Sequence, residues 1–480
     1  MKMKVGKKEG LSVILYFKNE DCPSADLKPM MEKEILKGEL GEIYTLLEKE
    51  TIYLGLGERA KLNAEKLKKA FFKLGRELNR VKATKASAEI PKFEGLCIAQ
   101  THKAVAEGLL QSEYRYDKFL SEKKPAPTME EFYFVVSEDK AKRVEEKLEE
   151  VEKMLEGVFF ARDLVNEPAM YMTPTKLAQS CVEMLSPLGV EVEVFDRKQI
   201  EELGMKAFLA VARGSAQEPK FIVMKWEGDK ESEEKIALVG KGLTYDSGGY
   251  CIKPPDGMAT MHCDMGGAGS VAGVMMAVAK NKLKKNVVGV VAACENMISG
   301  DAYKTGDIIR SMKGLSIEIG NTDAEGRLTL ADALYYAATV IKPSQIVDVA
   351  TLTGACVMAL GSYTSGAVTN NKEMMESIVK ASERSGDAVW ELPANDLYRD
   401  MLKGSFGDLK NAVKGGAGTI TAGLFLEKFV EEIPWVHLDI AGTAYLSKAY
   451  DYLPEGATGA PVRLLYYFLK HGKDCAKEEI

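Results

Sequence analysis

Seven side chains suited to ionic chemistry are gathered in two short stretches of this 480-residue chain. The first, VGKGLTYDSGGYCIKPPDGMATMHCDM from Val239 to Met265, carries Lys241, Asp246, Lys253 and Asp264; the second, NTDAEGRL from Asn321 to Leu328, carries Asp323, Glu325 and Arg327. Both are Gly-rich or turn-like and follow apolar runs, a setting in which a rigid scaffold presents functional groups. Only four His occur, at 102, 262, 437 and 471, so a His-rich zinc site is hard to build. A metal would rest on carboxylates, which are legitimate ligands for zinc, manganese or magnesium.

Four carboxylates brought together repel one another and are partly protonated unless something compensates. Two divalent cations about 3.5–4 Å apart would cancel that charge. Lys253 and Arg327 would then remain as a positive surplus where an oxyanion has to be stabilised. Beside two cations the Lys241 ammonium is disfavoured, and its neutral amine could serve as a nitrogen ligand. Asp323 and Glu325 are two apart, so an extended segment would aim both the same way. Each residue also has a plainer reading. Asp323 and Glu325 alone resemble a turn or helix start, Lys253 before Pro254 and Pro255 a solvated loop charge, and His262 a packing residue. Cys251 and Cys263 read as small hydrophobes, and Met258, Met261 and Met265 as core or as an apolar wall. The combination, rather than any single residue, points to a two-metal site.

The elements that must hold these residues follow from composition and periodicity. A length of 480, 46% hydrophobic and 28% charged residues fit a globular chain of two domains. A net charge of −7 argues against a general affinity for nucleic acid. Eight Cys without a CxxC pair fit a reduced, cytoplasmic setting. The apolar run Leu11–Phe17 is short and followed by Lys18, Asn19, Glu20 and Asp21, so it reads as a strand rather than a leader, and no run is long enough for a membrane.

Residues 1–137 alternate strand-like pieces (LSVILYF, TIYLGLG, EFYFVV) with an amphipathic helix over Ala60–Val81. Val144, Leu148, Val151, Leu155 and Val158, spaced four, three, four and three, predict a helix over 138–165 that joins two domains. In 166–480, strand candidates VEVEVF, PKFIVMKW, KIALVG, NVVGVVAAC, QIVDVAT and WVHLDIA alternate with helical stretches. The expected fold is α/β: an N-terminal α/β domain, then a mixed sheet covered on both faces. Lys241 and Asn321 are expected just past the carboxyl ends of two strands.

The stretches VGKGLTYDSGGYCIKP, MATMHCDMGG and NTDAEGRLTLADAL closely resemble those of the leucyl (cytosol) aminopeptidase family. So do RDLVNEPAMYMTPTKLA, VATLTGAC and GATGAPVR, and, more loosely, AVAEGLLQSEYRYDKF in the N-terminal third. The resemblance implies a macro-like N-terminal domain and a catalytic domain that removes N-terminal amino acids by two-metal hydroxide attack. By similarity two divalent ions, Mn2+ or Zn2+, are bound per subunit: Asp246 and Glu325 bridge them, Asp323 completes an exchangeable site, and Lys241 and Asp264 complete a tighter one. Lys253 would stabilise the oxyanion, Arg327 would hold bicarbonate as a general base, and Met261, Thr351 and Gly354 would form a pocket for leucine-like side chains. The resemblance also implies peptide substrates with a free N-terminus, a homohexamer and a cytoplasmic location. His262 and Ala460 depart from the family pattern, where a basic residue is common at each, and bear on side-chain preference. A metal-dependent phosphatase and a non-enzymatic nucleic-acid or nucleotide-binding protein are the alternatives. Against the latter, there is no GxxxxGK[ST] loop, and Gly240-Lys241-Gly242 lacks the later glycine of a dinucleotide fingerprint.

Overall fold

A computed structural model describes residues 1–472; the stretch 473–480, the end of the expected catalytic domain, lies outside the described residues. Two compact units are present, one of Met1–Leu155 with Ala449–Pro454, the other running from Glu156 to Lys448 and resuming at Glu455. The division falls inside the helix Glu138–Asn166. The five residues whose spacing predicts that helix are each no more than 2% exposed.

The first unit holds a six-stranded sheet of β1 (Lys2–Val5), β2 (Leu11–Tyr16), β3 (Ile43–Leu46), β4 (Thr51–Gly55), β5 (Lys85–Glu89) and β6 (Glu131–Val135). Its order is β1-β6-β5-β2-β4-β3, parallel except for the β3–β4 pair. The expected amphipathic helix spans Ala64–Arg80, capped by Asn63 and burying Leu67, Ala70, Phe71, Leu74 and Leu78. It packs on a second helix, Ile98–Gln111, where Gly108 allows close approach: a Cβ there would lie 2.4 Å from the Lys68 carbonyl oxygen. The strands β1, β3 and β5 and this second helix were not anticipated. KMKV and KASAE are short and polar or small, without the apolar alternation that marks a strand.

The second unit is built on an eight-stranded mixed sheet. Its strands are β7 (Glu191–Phe195), β8 (Lys220–Glu227), β9 (Lys235–Asp246), β10 (Asn286–Asn296), β13 (Gln345–Ala350), β14 (Thr364–Thr369), β15 (Ala388–Glu391) and β17 (Trp435–Asp439). A separate small sheet consists of β11 (Ile308–Arg310), β12 (Ser316–Glu318) and β16 (Leu409–Lys410). The order is β15-β14-β17-β13-β9-β10-β8-β7, with the central run β17-β13-β9-β10 parallel. Buried on both faces, β9 and β10 carry near-continuous apolar runs, while β13 and β17 also bury Asp348, His437 and Asp439. The Gly/Ala/Val-rich helix Gly266–Lys280 is buried along nearly its whole length. It can lie directly on the sheet because Gly240 and Gly267 lack side chains. A Cβ on Gly267 would stand 2.0 Å from the Val349 carbonyl oxygen, and one on Gly240 2.7 Å from that of Gly267.

The strand expected to end at Gly240 runs on to Asp246, so Lys241 lies inside β9 and not past its end. The β9–β10 register is regular up to Leu243↔Cys294 and resumes at Tyr245↔Glu295, leaving Thr244 as an extra residue. Side chains five apart on a regular strand point to opposite faces; one bulged residue restores the parity. This bulge brings Asp246 to the same side as Lys241.

Candidate metal centre and catalytic cavity

All ten residues singled out in the sequence line one cavity of about 390 Å³: Lys241, Asp246, Lys253, Met261, Asp264, Asp323, Glu325, Arg327, Thr351 and Gly354. Lys241 and Asp246 come from β9. Asp264 comes from the single turn Met261–Met265 that leads into the helix Gly266–Lys280, so seating that helix on β9 and β13 sets the carboxylate beside Lys241. Asp323 and Glu325 do not share an extended segment as expected. Asp323 sits in a turn in which its N–H donates to Asn321 Oδ1 (2.8 Å), and Glu325 has helical backbone immediately before the helix Gly326–Tyr336. The turn and helix start converge the two carboxylates that the extended reading would have left parallel. Asn321 follows β12 of the small sheet rather than a strand of the main one.

Asp246, Asp323 and Glu325 each place one carboxylate oxygen within 4.8 Å of the others. Lys241 Nζ reaches Asp264 Oδ2 at 2.7 Å, Glu325 Oε1 at 2.9 Å and the Thr351 carbonyl oxygen at 2.9 Å. Lys253 Nζ lies 2.9 Å from Asp246 Oδ2 and 2.5 Å from Asp323 Oδ1. Thr351 Oγ1 donates to Asp264 Oδ1 (2.8 Å). Gly326 gives Lys241 its path: a Cβ there would be 2.5 Å from Lys241 Cε.

The electrostatics are those of a crowded acidic site. Burial, followed by the charge of Asp246, pushes Glu325 up to about 8; burial and Asp246 push Asp264 up to about 6 and raise Asp323 as well. Burial opposes the charge on Lys241 and Lys253, but the surrounding carboxylates outweigh it and hold both ammoniums above their ordinary range. Burial lowers Arg327 to about 10. Among the buried polar atoms that lack a hydrogen-bond partner, Glu325 Oε2 and Arg327 Nε face this cavity. Converging carboxylate oxygens with an unused acceptor fit divalent cations, and an unused guanidinium N–H fits an anion.

Several residues that hold this arrangement escaped the sequence reading. Asn296, at the carboxyl end of β10, donates to Asp246 Oδ1 (2.8 Å) and to the Thr322 carbonyl (3.0 Å). Tyr303 OH donates to the same carbonyl at 2.7 Å. Thr322 Oγ1 donates to the Gly248 carbonyl (2.7 Å), and Gly248 N–H donates to Asp246 Oδ1 (2.8 Å) from a residue with φ of +83°. Asn411 accepts from Gly320 N–H at 2.8 Å and donates to the Asn321 carbonyl at 2.7 Å, fastening the NTDAEGRL turn. Amides at strand ends, opposite the carboxylates they hold, were the available clue. His262 and Ala460 do not line the cavity: the His262 ring meets Tyr445 edge-on at 5.4 Å, and the Ala460 carbonyl accepts from Ser270 Oγ at 2.8 Å.

A carboxylate-rich, lysine-edged cavity on a mixed α/β sheet offers the donors that metal-assisted hydrolysis requires. The catalytic-domain model of the cytosol aminopeptidase family matches residues 159–466 and its N-terminal-domain model residues 15–123. The chain belongs to that family of metal-dependent peptidases. It is 52% identical over 480 residues to a protein of Clostridium tetani described as a probable cytosol aminopeptidase, covering 99% of this chain and 100% of the relative. A protein of Treponema denticola with the same description is 49% identical over 474 residues, covering 98% and 99%. Among solved structures, the bottromycin maturation enzyme BotP superposes with a TM-score of 0.87 at 31% identity, covering 96% of this chain and 99% of its own. BotP in complex with Mn gives 0.86 at 31% identity, covering 97% and 100%. Neither the phosphatase nor the nucleic-acid reading finds support in these relatives. No helix among the described residues is long and apolar enough to cross a membrane.

Proposed function

We propose that the chain is a leucyl aminopeptidase that binds two divalent ions, Mn2+ or Zn2+, and releases leucine-like residues from peptides with a free N-terminus. The observation that carries this reading is the convergence of Asp246, Asp323 and Glu325 within 4.8 Å, with the buried, unpartnered Glu325 Oε2 among them. Asp246 and Glu325 would bridge the ions, Asp323 would complete one site, and Lys241 and Asp264 the other. Bound there, the ions supply Lewis acidity and an activated water at neutral pH. As a ligand, Lys241 must first give up a proton, since as an ammonium it is a counter-ion to Asp264 and Glu325.

The chain's own residues then divide the work. The Asp264 side of the cavity receives the substrate α-amine, which restricts cleavage to chain ends. Lys253 Nζ, between Asp246 and Asp323, donates to the oxygen that becomes negative as the carbonyl turns tetrahedral. Arg327, with its unpaired Nε, would hold a bicarbonate, which would supply a general base beside the metal site. Met261, Thr351 and Gly354 form the pocket for the first side chain, and the stretch 166–480 is assigned the catalysis. We further propose a homohexamer located in the cytoplasm, on the family resemblance alone.

Two measurements test the reading together. Protein dialysed against chelator should cleave leucine anilide only after Mn2+ or Zn2+ is restored, and N-acetyl-leucine anilide should resist cleavage throughout. Full turnover with chelator present would remove the metals from the reaction, and rapid cleavage of the acetylated substrate would remove the amine anchor.

A further inference from the structure

Asp439, the last residue of β17, is fully buried and lies outside every role assigned above. Two of the three hydrogen bonds to its carboxylate come from one short segment. Oδ2 accepts from Thr353 Oγ1 at 2.6 Å, and Oδ1 accepts from the N–H of Leu352 at 3.2 Å and of Ala441 at 3.1 Å. Thr353 Oγ1 also pairs with Thr419 Oγ1 (2.8 Å) and accepts from Cys356 N–H (3.1 Å), capping the helix Gly354–Leu360. The same segment is held at its other end, where Thr351 bonds Asp264 through its hydroxyl and Lys241 through its carbonyl. The span from Thr351 to Gly354 is therefore clamped between the acidic centre and a second carboxylate that stands behind it.

The foundation under Asp439 is polar and closed to water. Two residues back on the same face of β17, His437 Nδ1 bonds Asp348 Oδ1 at 2.6 Å, and Trp435 Nε1 donates to Asp348 Oδ2 at 2.6 Å. A carboxylate buried at this depth is tolerated because its hydrogen bonds are made. Burial pushes this carboxyl up, against the charge of His437 and the bonds from Thr353, Ala441 and Leu352; in its ionised form it fixes the segment more tightly than a neutral acceptor does, since hydrogen bonds to an ionised acceptor are about twice as strong as neutral ones.

We infer that Asp439 is a specificity-determining positioning residue, which sets the depth of the first-side-chain pocket by holding Leu352 and Thr353 in place. This rests on the assignment of Thr351 and Gly354 to that pocket. It predicts that the carboxylate acts on side-chain choice rather than on the chemical step.

The test compares leucine and alanine anilides on the Mn2+-loaded, full-length protein. Asp439→Asn should lower the leucine-to-alanine ratio of kcat/KM about tenfold, the worth of one to two buried methylenes. Thr353→Val should do the same from the other end of the bond, and Thr353→Ser, which keeps the hydroxyl, should retain the wild-type ratio. A structural role alone would slow both substrates alike and leave the ratio fixed. An unchanged ratio in folded Asp439→Asn overturns the inference. If that variant fails to fold, the Thr353 pair decides: equal ratios for Val and Ser overturn it. Gly354→Val, whose new side chain meets no atom within 4 Å at Cβ and so projects into open space, separates the two levels. If it leaves the ratio unchanged, the pocket assignment itself fails; if it shifts the ratio while the Asp439 and Thr353 variants do not, only the role of Asp439 fails.

Discussion

Glu325→Gln should stabilise the chelator-treated protein while destroying its activity. Glu325 is 1% exposed and its carboxyl is pushed up to about 8 from an ordinary value of 4.5, first by burial and then by the charge of Asp246. An acid whose folded value is raised gives its full stability below the unfolded value and loses it as the pH climbs toward the folded one. At pH 7 that loss is about 3 kcal/mol. Glutamine has the same shape, keeps an amide oxygen for Lys241, and carries no titrating proton, so it escapes the loss. The melting temperature of the catalytic unit in chelator should rise by about 3–6 °C at pH 7. The gain should shrink to a few tenths of a kcal/mol at pH 4.5 and vanish below it, where wild-type Glu325 is protonated whether folded or not. With Mn2+ added the order should reverse, because ligand binding stabilises only the chain that binds it. Thermal melts at several pH values, with and without metal, read all of this out. A variant less stable than wild type in chelator at pH 7, or a gain that persists undiminished at pH 4.5, would show that Glu325 is not held in an over-acidic cluster.

Lys253→Ala should lower kcat by about 10²–10³ with a much smaller change in KM, as steady-state kinetics on leucine anilide would show, because its ammonium is needed only once charge develops on the carbonyl oxygen. Gly326→Ala should displace Lys241, whose Cε lies 2.5 Å from the new Cβ, and calorimetry should find weaker metal binding at a stability loss of about 1–3 kcal/mol. Apparent Mn2+ affinity should fall at least tenfold between pH 7 and pH 6, since protons compete for Glu325 below about 8 and for Asp264 below about 6, and more steeply at the site where Lys241 must also release a proton. A pH-independent Kd by titration calorimetry would contradict that competition.

The carboxylates and lysines were legible in the sequence because their residue types are costly to gather without a cation and because glycines punctuate the segments that carry them. The long joining helix was legible from its strict apolar spacing. What holds the carboxylates in place was not. Asn296, Thr322 and Asn411 are uncharged, follow no period, and act across 26 to 91 positions of sequence. Asp439 sits within an apolar run that already read as a strand, so its charge was absorbed into the run. The first unit was read least completely, since KMKV and KASAE pair into the sheet through backbone bonds that any side chain permits.

The extra residue at Thr244 makes the length of β9 itself a functional quantity. Removing one residue between Leu243 and Asp246 would preserve every apolar position of the strand as far as Leu243. Asp246 would then be delivered to the opposite side of the sheet, away from the other acids. Relatives that keep both residue types but alter the count between them are therefore expected to be inert scaffolds, recognisable by arithmetic alone.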